Sequence, residues 1–475
     1  MLVGLWKRRR VLCRPTTIGT FQKFQAVSRI STQVAISPFL PTIFPTLSLS
    51  PIPMSISRRG LVWDDSGLNL EPRWENEPDL EKIRNVCQQT LQAKCSVSFL
   101  AEGAFNRVYL VEADNNKKCI MRVSLPVDPQ HKTAGEVATL DWLNNHSNMP
   151  VPRVMASDST RNNEIGFEWI MMKLIPGSSA RHRWRKASMD DKKILVERMA
   201  GYHAHLMNTS TFQGIGTLKI QNSQPVPDRK SSMMLFWGSH FDFDIPRGPF
   251  RSSYDWLQSY VSIIIKEEAE EIAAATDEEE REDAERKGRI ARKLDQLLPK
   301  IFSATQDLPE RTVIWHDDLG LQNIMLDEKN SLTGIIDWEC VSAMPYWVTT
   351  QLPKFLHGNP REVKPHPDAY GDEEPEDIVP RDKDGLDNEG KTQIYWEHLM
   401  EYEQTQLRKV YSHHMAQQYP PWNELVAAST LKIDFLKAVM LCADEFHVRG
   451  IERWIDIVNG GQFPRLYDTL RRPGT

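Results

Sequence analysis

His316, Asp318 and Asn323 stand in the spacing H-x-D-x-x-x-x-N, and Asp337 follows after two further apolar runs. Residues 312–315 are apolar and read as a strand, so Asp318 falls where strand gives way to loop and its carboxylate can reach a substrate. Apolar residues 323–326 and 332–337 flank the polar stretch 327–331, a hairpin pattern. A hairpin returns the chain on itself, which brings Asn323 and Asp337 to one end as two oxygen donors for one or two hard cations. Phosphoryl transfer is the chemistry these types serve. It asks for a carboxylate to take the acceptor's hydroxyl proton, oxygen ligands for magnesium, and a group to hold a triphosphate in line. Turn capping by Asp318 and Asp337, with Asn323 satisfying a loop, is the alternative use of the same residues. A lone H-x-D is weak; the whole pattern with its flanking strands is specific.

The elements that must position these groups change character once along the chain. Residues 79–92 carry apolar side chains at helical spacing. Strand patterns follow at 95–100 and 107–112, joined by a turn around Gly103, and again at 118–123. Residues 135–145 read as a helix with Val137, Leu140 and Leu143 on one face. Strands at 151–156 and 168–174 come next, the second running into Pro176-Gly177, a hinge signal. Beyond Gly177 long helices dominate, at 190–206, 253–272, 281–302 and 392–414. His203 and His205 on the first of these fit core packing. The expected fold class is α+β in two lobes: a small antiparallel-sheet N-lobe, 61–172, and a larger, mostly helical C-lobe, 173–475, holding the hairpin. Two C-lobe stretches read as inserts. Residues 266–292 are acidic and Ala/Glu-rich, a solvated helix face, and 357–391 are rich in Pro, Asp and Glu, a long loop.

His316 to Asn323, with Ile335-Ile336-Asp337-Trp338, resemble the Brenner-type motif and metal aspartate of the aminoglycoside phosphotransferase family, relatives of choline kinases and protein kinases. The resemblance runs from about residue 92 to 356. Glu102-Gly103-Ala104-Phe105-Asn106-Arg107-Val108-Tyr109 resembles the family's phosphate-covering turn. Set against G-x-G-x-x-G-x-V, Gly103 and Val108 match, and Ala101 and Asn106 hold the other glycine positions. Cys119-Ile120-Met121-Arg122 resembles the strand bearing the phosphate-binding lysine, here Arg122, with Glu136 on the next helix placed to pair with it. Pro150 to Met155 resembles the strand leading to the hinge. Trp169 to Gly177 resembles the hinge itself, whose backbone around Met172 and Leu174 would bond adenine. The resemblance thus implies a protein-kinase-like fold binding ATP and Mg2+ between lobes, with Asp318 as base and Asn323 and Asp337 on the metal. Phe212 to Leu218, Arg247-Gly248-Pro249-Phe250 and the basic leader resemble a fungal branch named for altered inheritance of mitochondria. Two departures stand out. The planar fork of Arg122 is not interchangeable with an ammonium. Gly320 lies two residues after Asp318, where protein kinases carry Lys, and no A-P-E signature follows Asp337, so the implied acceptor is a small molecule.

Charge separates the ends of the chain. Of 58 Lys+Arg, nine fall in the first sixty residues, which hold no Asp or Glu, so all 64 acids lie in the rest. Such a basic, Ser/Thr-containing leader has the composition of a mitochondrial transit segment, and residues 1–60 are expected to lie outside the fold. Five prolines between residues 38 and 53 break its apolar stretch, so no integral membrane span is expected. The acidic body does not suit nucleic acid, which needs clustered cations. Six cysteines without a CxxC pair support neither a disulfide framework nor a zinc site. The reading is an ATP- and magnesium-dependent phosphotransferase acting on a small-molecule hydroxyl in mitochondria. A nucleotide-binding pseudoenzyme or scaffold is the alternative, and a protein kinase the remoter one.

Overall fold

The structure of the chain, a computed structural model, describes residues 57–67, 70–370 and 386–471. The basic leader up to residue 56, and residues 371–385 of the expected loop insert, lie outside the described residues. A short hairpin of β1 (Leu61–Asp64) and β2 (Glu71–Trp74) comes first, then helix α1 (Leu80–Leu91). Asp79 starts α1 by accepting from the N–H groups of Glu81 at 2.8 Å and Lys82 at 3.3 Å, donors a helix start otherwise leaves unpaired.

The N-lobe sheet comprises β3 (Cys95–Glu102), β4 (Asn106–Ala113), β5 (Lys118–Ser124), β6 (Val154–Asp158) and β7 (Glu168–Lys173), with α2 (His131–His146) between β5 and β6. Every pairing is antiparallel and the order is β3-β4-β5-β7-β6. Alternation sorts the two faces. Met121 and Val123 pack with Met171 under α1, among Ile83, Val86 and Cys87. Ile120, Ile170 and Met172 point the other way, to a second core shared with Leu140 and Leu143 of α2. The same period sends Arg122 to the α2 side. Helix α2 begins four residues before the expected 135, because its first turn carries Lys132 and Thr133, polar yet buried, which hide the apolar stripe.

Gly177 has φ +105, and a Cβ there would collide with the carbonyl oxygen of Leu326, so the hinge position requires glycine. Next come β8 (Ser178–Ser179), α3 (Met189–Thr209), β9 (Phe212–Gln213), β10 (Leu218–Gln221), β11 (Gln224–Pro227), α4 (Ser253–Ala274) and α5 (Glu278–Ile301). They are followed by β12 (Arg311–Trp315), β13 (Ile324–Leu326), β14 (Leu332–Ile335), β15 (Ser342–Pro345), α6 (Gln393–Gln418), α7 (Trp422–Leu441) and α8 (Glu445–Asn459). Two small sheets, β15-β12-β9 and β14-β13-β8, carry the candidate site. Helices α3 and α6 share the core that reaches α2, whereas α4, α5, α7 and α8 form a separate one.

Three expectations need correction. The acidic stretch is not one solvated face: the chain turns at 275–277 between antiparallel α4 and α5. Buried Glu268 meets Arg292 at 2.5 Å in that interface, and Gly288 lets the helices close because a Cβ would strike the Glu268 carboxylate. His203 is core, its Nδ1 2.6 Å from the Tyr411 hydroxyl and burial pushing the imidazole down to about 3. His205 is exposed instead, with Nε2 donating to the His146 carbonyl at 3.1 Å. The folded chain also starts before residue 61. Arg58 donates to the carbonyls of Phe236 at 2.9 Å and Gly238 at 3.1 Å and lies over the Phe241 ring.

Candidate active site

Strand β12 ends at Trp315, and His316 is held at that edge by Nε2 donating to the Ile336 carbonyl at 3.2 Å, its ring against Trp338. Burial pushes the His316 imidazole down, so it is a neutral brace between the loop and the return strand. Asp318 follows, half exposed. Asn323 turns its Nδ2 to Asp318, 2.9 Å from the carbonyl oxygen and 3.4 Å from Oδ2, which leaves its oxygen at the outward end of the amide. The Asn323 carbonyl accepts from Ile336 N–H at 2.9 Å, and Ile324 pairs with Ile335. The hairpin therefore puts Asn323 and Asp337 at one end, as the spacing predicts. Asp337 adopts φ 66, in the left-handed region that Asp tolerates better than most non-glycine residues.

Arg122 reaches this end from the N-lobe. Its guanidinium is ion-paired with Glu136 of α2, both buried, and stands 3.8 Å from the Asp337 carboxylate. Its Nε is buried and has no hydrogen-bond partner among the described residues. Gly103 sits at the crest of the β3–β4 turn, its N–H donating to the Asn106 carbonyl at 2.9 Å, and a Cβ there would meet nothing within 4 Å. Packing does not require that glycine. Met172 lies in β7 opposite Ile120, and Leu174 lies just past the strand's end, partly exposed.

Three residues of the cluster were not anticipated. Glu339, two after Asp337, accepts from Lys132 Nζ at 2.6 Å and Asn106 Nδ2 at 2.8 Å, and Asn106 Oδ1 accepts from Ser124 at 2.8 Å. Lys132 is four residues before Glu136, hence on the same side of α2, the one clue to it in the sequence. Lys354 bonds the Asp318 carboxylate from a turn 36 residues away, with no local signal. For half-buried Asp337, desolvation first and Glu339 second push the carboxyl up to about 7, with Arg122 opposing. Burial works against the charge of Glu339, but Lys132 and Arg122 outweigh it and hold the carboxyl below its usual range.

Among the described residues no group of three or more His, Cys, Asp and Glu could hold a metal by itself. Magnesium does not demand one, since one or two protein oxygens with substrate phosphates suffice. The all-oxygen set of Asn323 and Asp337, crowded by Glu339, suits such a cation.

The sequence pattern of the phosphotransferase enzyme family, APH, matches residues 96–348. A subtelomeric hrmA-associated cluster protein of Aspergillus fumigatus is 27% identical over 308 residues, 55% of this chain and 60% of that protein. Altered inheritance of mitochondria protein 9, mitochondrial, of Candida glabrata is 22% identical over 330 residues, 55% of this chain and 51% of its own length. The chain thus spans little more than half the length of these relatives. The solved streptomycin-ATP-APH(2")-IIa ternary complex aligns over 84% of this chain and 97% of that one, at TM-score 0.41 and 13% identity.

Proposed function

This chain belongs to the phosphotransferase enzyme family, APH, and from that premise we propose that it moves the γ-phosphoryl group of ATP, with Mg2+, to a hydroxyl of a small-molecule acceptor in mitochondria. The observation that carries the proposal is the tie from Asn323 to both Asp318 and the strand leading into Asp337, with Arg122 arriving from the other lobe. Asp318 takes the acceptor's hydroxyl proton. Asn323 and Asp337 hold the metal, which when bound would neutralise phosphate oxygens and orient the triphosphate. Arg122, aimed by Glu136, clamps the α- and β-phosphates. The Gly103 turn covers them, and the backbone at Met172 and Leu174 receives the adenine. The basic leader and the mitochondrial name of the Candida glabrata relative support the location.

A second reading, a nucleotide-binding scaffold without transfer, has one observation in its favour. The guanidinium at the lysine position is committed to Glu136, and Asn106 of the covering turn is drawn into the Glu339 network.

Asp318→Asn tests the two. It keeps the side chain's shape but removes the basic oxygen, so ATP affinity should persist while turnover falls by roughly 10²-fold or more. Asp337→Ala should instead weaken magnesium-dependent nucleotide binding. Wild-type turnover in Asp318→Asn would end the base assignment. Nucleotide binding without turnover in the wild type, across a metabolite pool, would select the scaffold. A fluorescent fusion of the full chain that stays in the cytosol would refute the location.

A further inference from the structure

Gly320 leaves the loop after Asp318 without a cation of its own, and the structure supplies one from elsewhere. Lys354 lies in a short helical turn, Lys354–Leu356, that packs beneath the loop. Phe355 N–H donates to the Leu319 carbonyl at 2.9 Å, and Gln404 of α6 donates to the Phe355 carbonyl at 2.9 Å. Phe355 and Leu356 are buried in the core that runs under the site. The Lys354 backbone is therefore fixed to the loop, while its ammonium sits on Oδ1 of Asp318. Side-chain exposures of 25% for Lys354 and 44% for Asp318 leave both open to a ligand.

A partly exposed ion pair adds little to stability, so a purely structural role is a poor account of this one. Charge accounting favours another. Asp318 and Glu339 both press on the Asp337 carboxylate electrostatically, and a triphosphate held there would add more negative charge. Lys132 is engaged by Glu339, and Arg122, paired with Glu136, is assigned above to the α- and β-phosphates, which leaves the γ-phosphoryl without a cation. An ammonium has three donors, and Asp318 uses one.

We propose that Lys354 is the cation that meets the phosphoryl group in transit, supplied from a distant turn in place of a lysine in the loop. The inference rests on the phosphotransferase reading above. In the step, the acceptor oxygen bonds the γ-phosphorus and its proton passes to Asp318. The bond from γ-phosphorus to the bridging oxygen breaks, with its electron pair leaving on ADP. Lys354 holds Oδ1 so that Oδ2 faces the hydroxyl, and its remaining N–H groups take charge building on the phosphoryl oxygens.

The test uses full-length protein and MgADP with and without aluminium fluoride, a mimic of the phosphoryl group in transit. Lys354→Met should bind MgADP about as well as wild type but lose about tenfold or more of the affinity that aluminium fluoride adds. The double variant Gly320→Lys/Lys354→Met should recover most of that gain. Residue 320 has φ −96, and the atoms a Cβ would meet there are the movable end of the Gln322 side chain. Undiminished aluminium fluoride gain in Lys354→Met overturns the role. So does a loss that the relocated lysine fails to restore, since a structural prop would not be replaced from position 320. Wild-type protein that binds MgADP without any gain overturns it too. Wild-type protein that fails to bind MgADP overturns the phosphotransferase reading and this inference with it.

Discussion

Lys230 shows how a single residue can oppose the fold that holds it. Its ammonium is buried, 3.4 Å from the Met344 sulfur and 5.8 Å from the centre of the Trp256 ring, and meets no carboxylate among the described residues. Burial lowers its pKa, with Asp317 opposing. Lys230→Met should fill the same volume without the buried charge and stabilise the protein by roughly 1–3 kcal/mol, read by denaturant unfolding. The sign with pH follows. Between the lowered value and the ordinary 10.5 the unfolded chain binds this proton more tightly, so wild-type stability rises with pH and the advantage of methionine shrinks. A methionine variant less stable than wild type at neutral pH would contradict this. That Asp318, Asn323 and Asp337 lie together was legible in the sequence, because five residues separate the first two and a hairpin joins the last two. Lys230 and Lys354 were not, since each owes its place to packing between elements distant in the chain.

The clasp between α2 and the segment after β14 is where elements, not residues, set the site. Lys132 and Glu339 are 207 positions apart and nearly fully buried together. Glu339→Gln would keep the shape but leave the Lys132 ammonium uncompensated, a loss on the order of 3–5 kcal/mol, measurable as a fall in denaturation midpoint. Because Lys132 and Arg122 hold the Glu339 carboxyl below its ordinary 4.5, its contribution is full above that value and disappears as pH falls through the lowered one. The variant should accordingly lose most of the difference from wild type in acid. An equal gap at neutral and strongly acidic pH would disprove the linkage. Most strands and long helices of the N-lobe and site were readable from period, since each buries one face. Helix α7 was not. It contacts α4, α5, α6 and α8, and its apolar side chains, exposed Val426 among them, do not fall in one stripe.

At the scale of the molecule, the lobes meet by more than a hinge. Phe105 of the covering turn packs edge-on against Phe236 of the C-lobe, 5.4 Å between ring centres, and is 6.2 Å from Trp237. Arg58 grips the same C-lobe segment, and burial brings its guanidinium down to about 10. Arg58→Ala should cost roughly 2 kcal/mol, the scale of charged hydrogen bonds to buried carbonyls, and should lower the melting temperature without splitting the transition. Two separate transitions in the variant would mean that Arg58, rather than the aromatic contact and the clasp, unites the lobes. The riveted turn also bears on how ligands come and go. A covering turn pinned by Phe105 on one side and Asn106 on the other cannot swing as a free flap. If nucleotide binds as proposed, its way in would be opened by local side-chain and turn movements and not by a parting of domains. The amide of Leu125, bonded to the Phe105 carbonyl at 2.8 Å, would trade its proton with solvent only when the whole molecule opens.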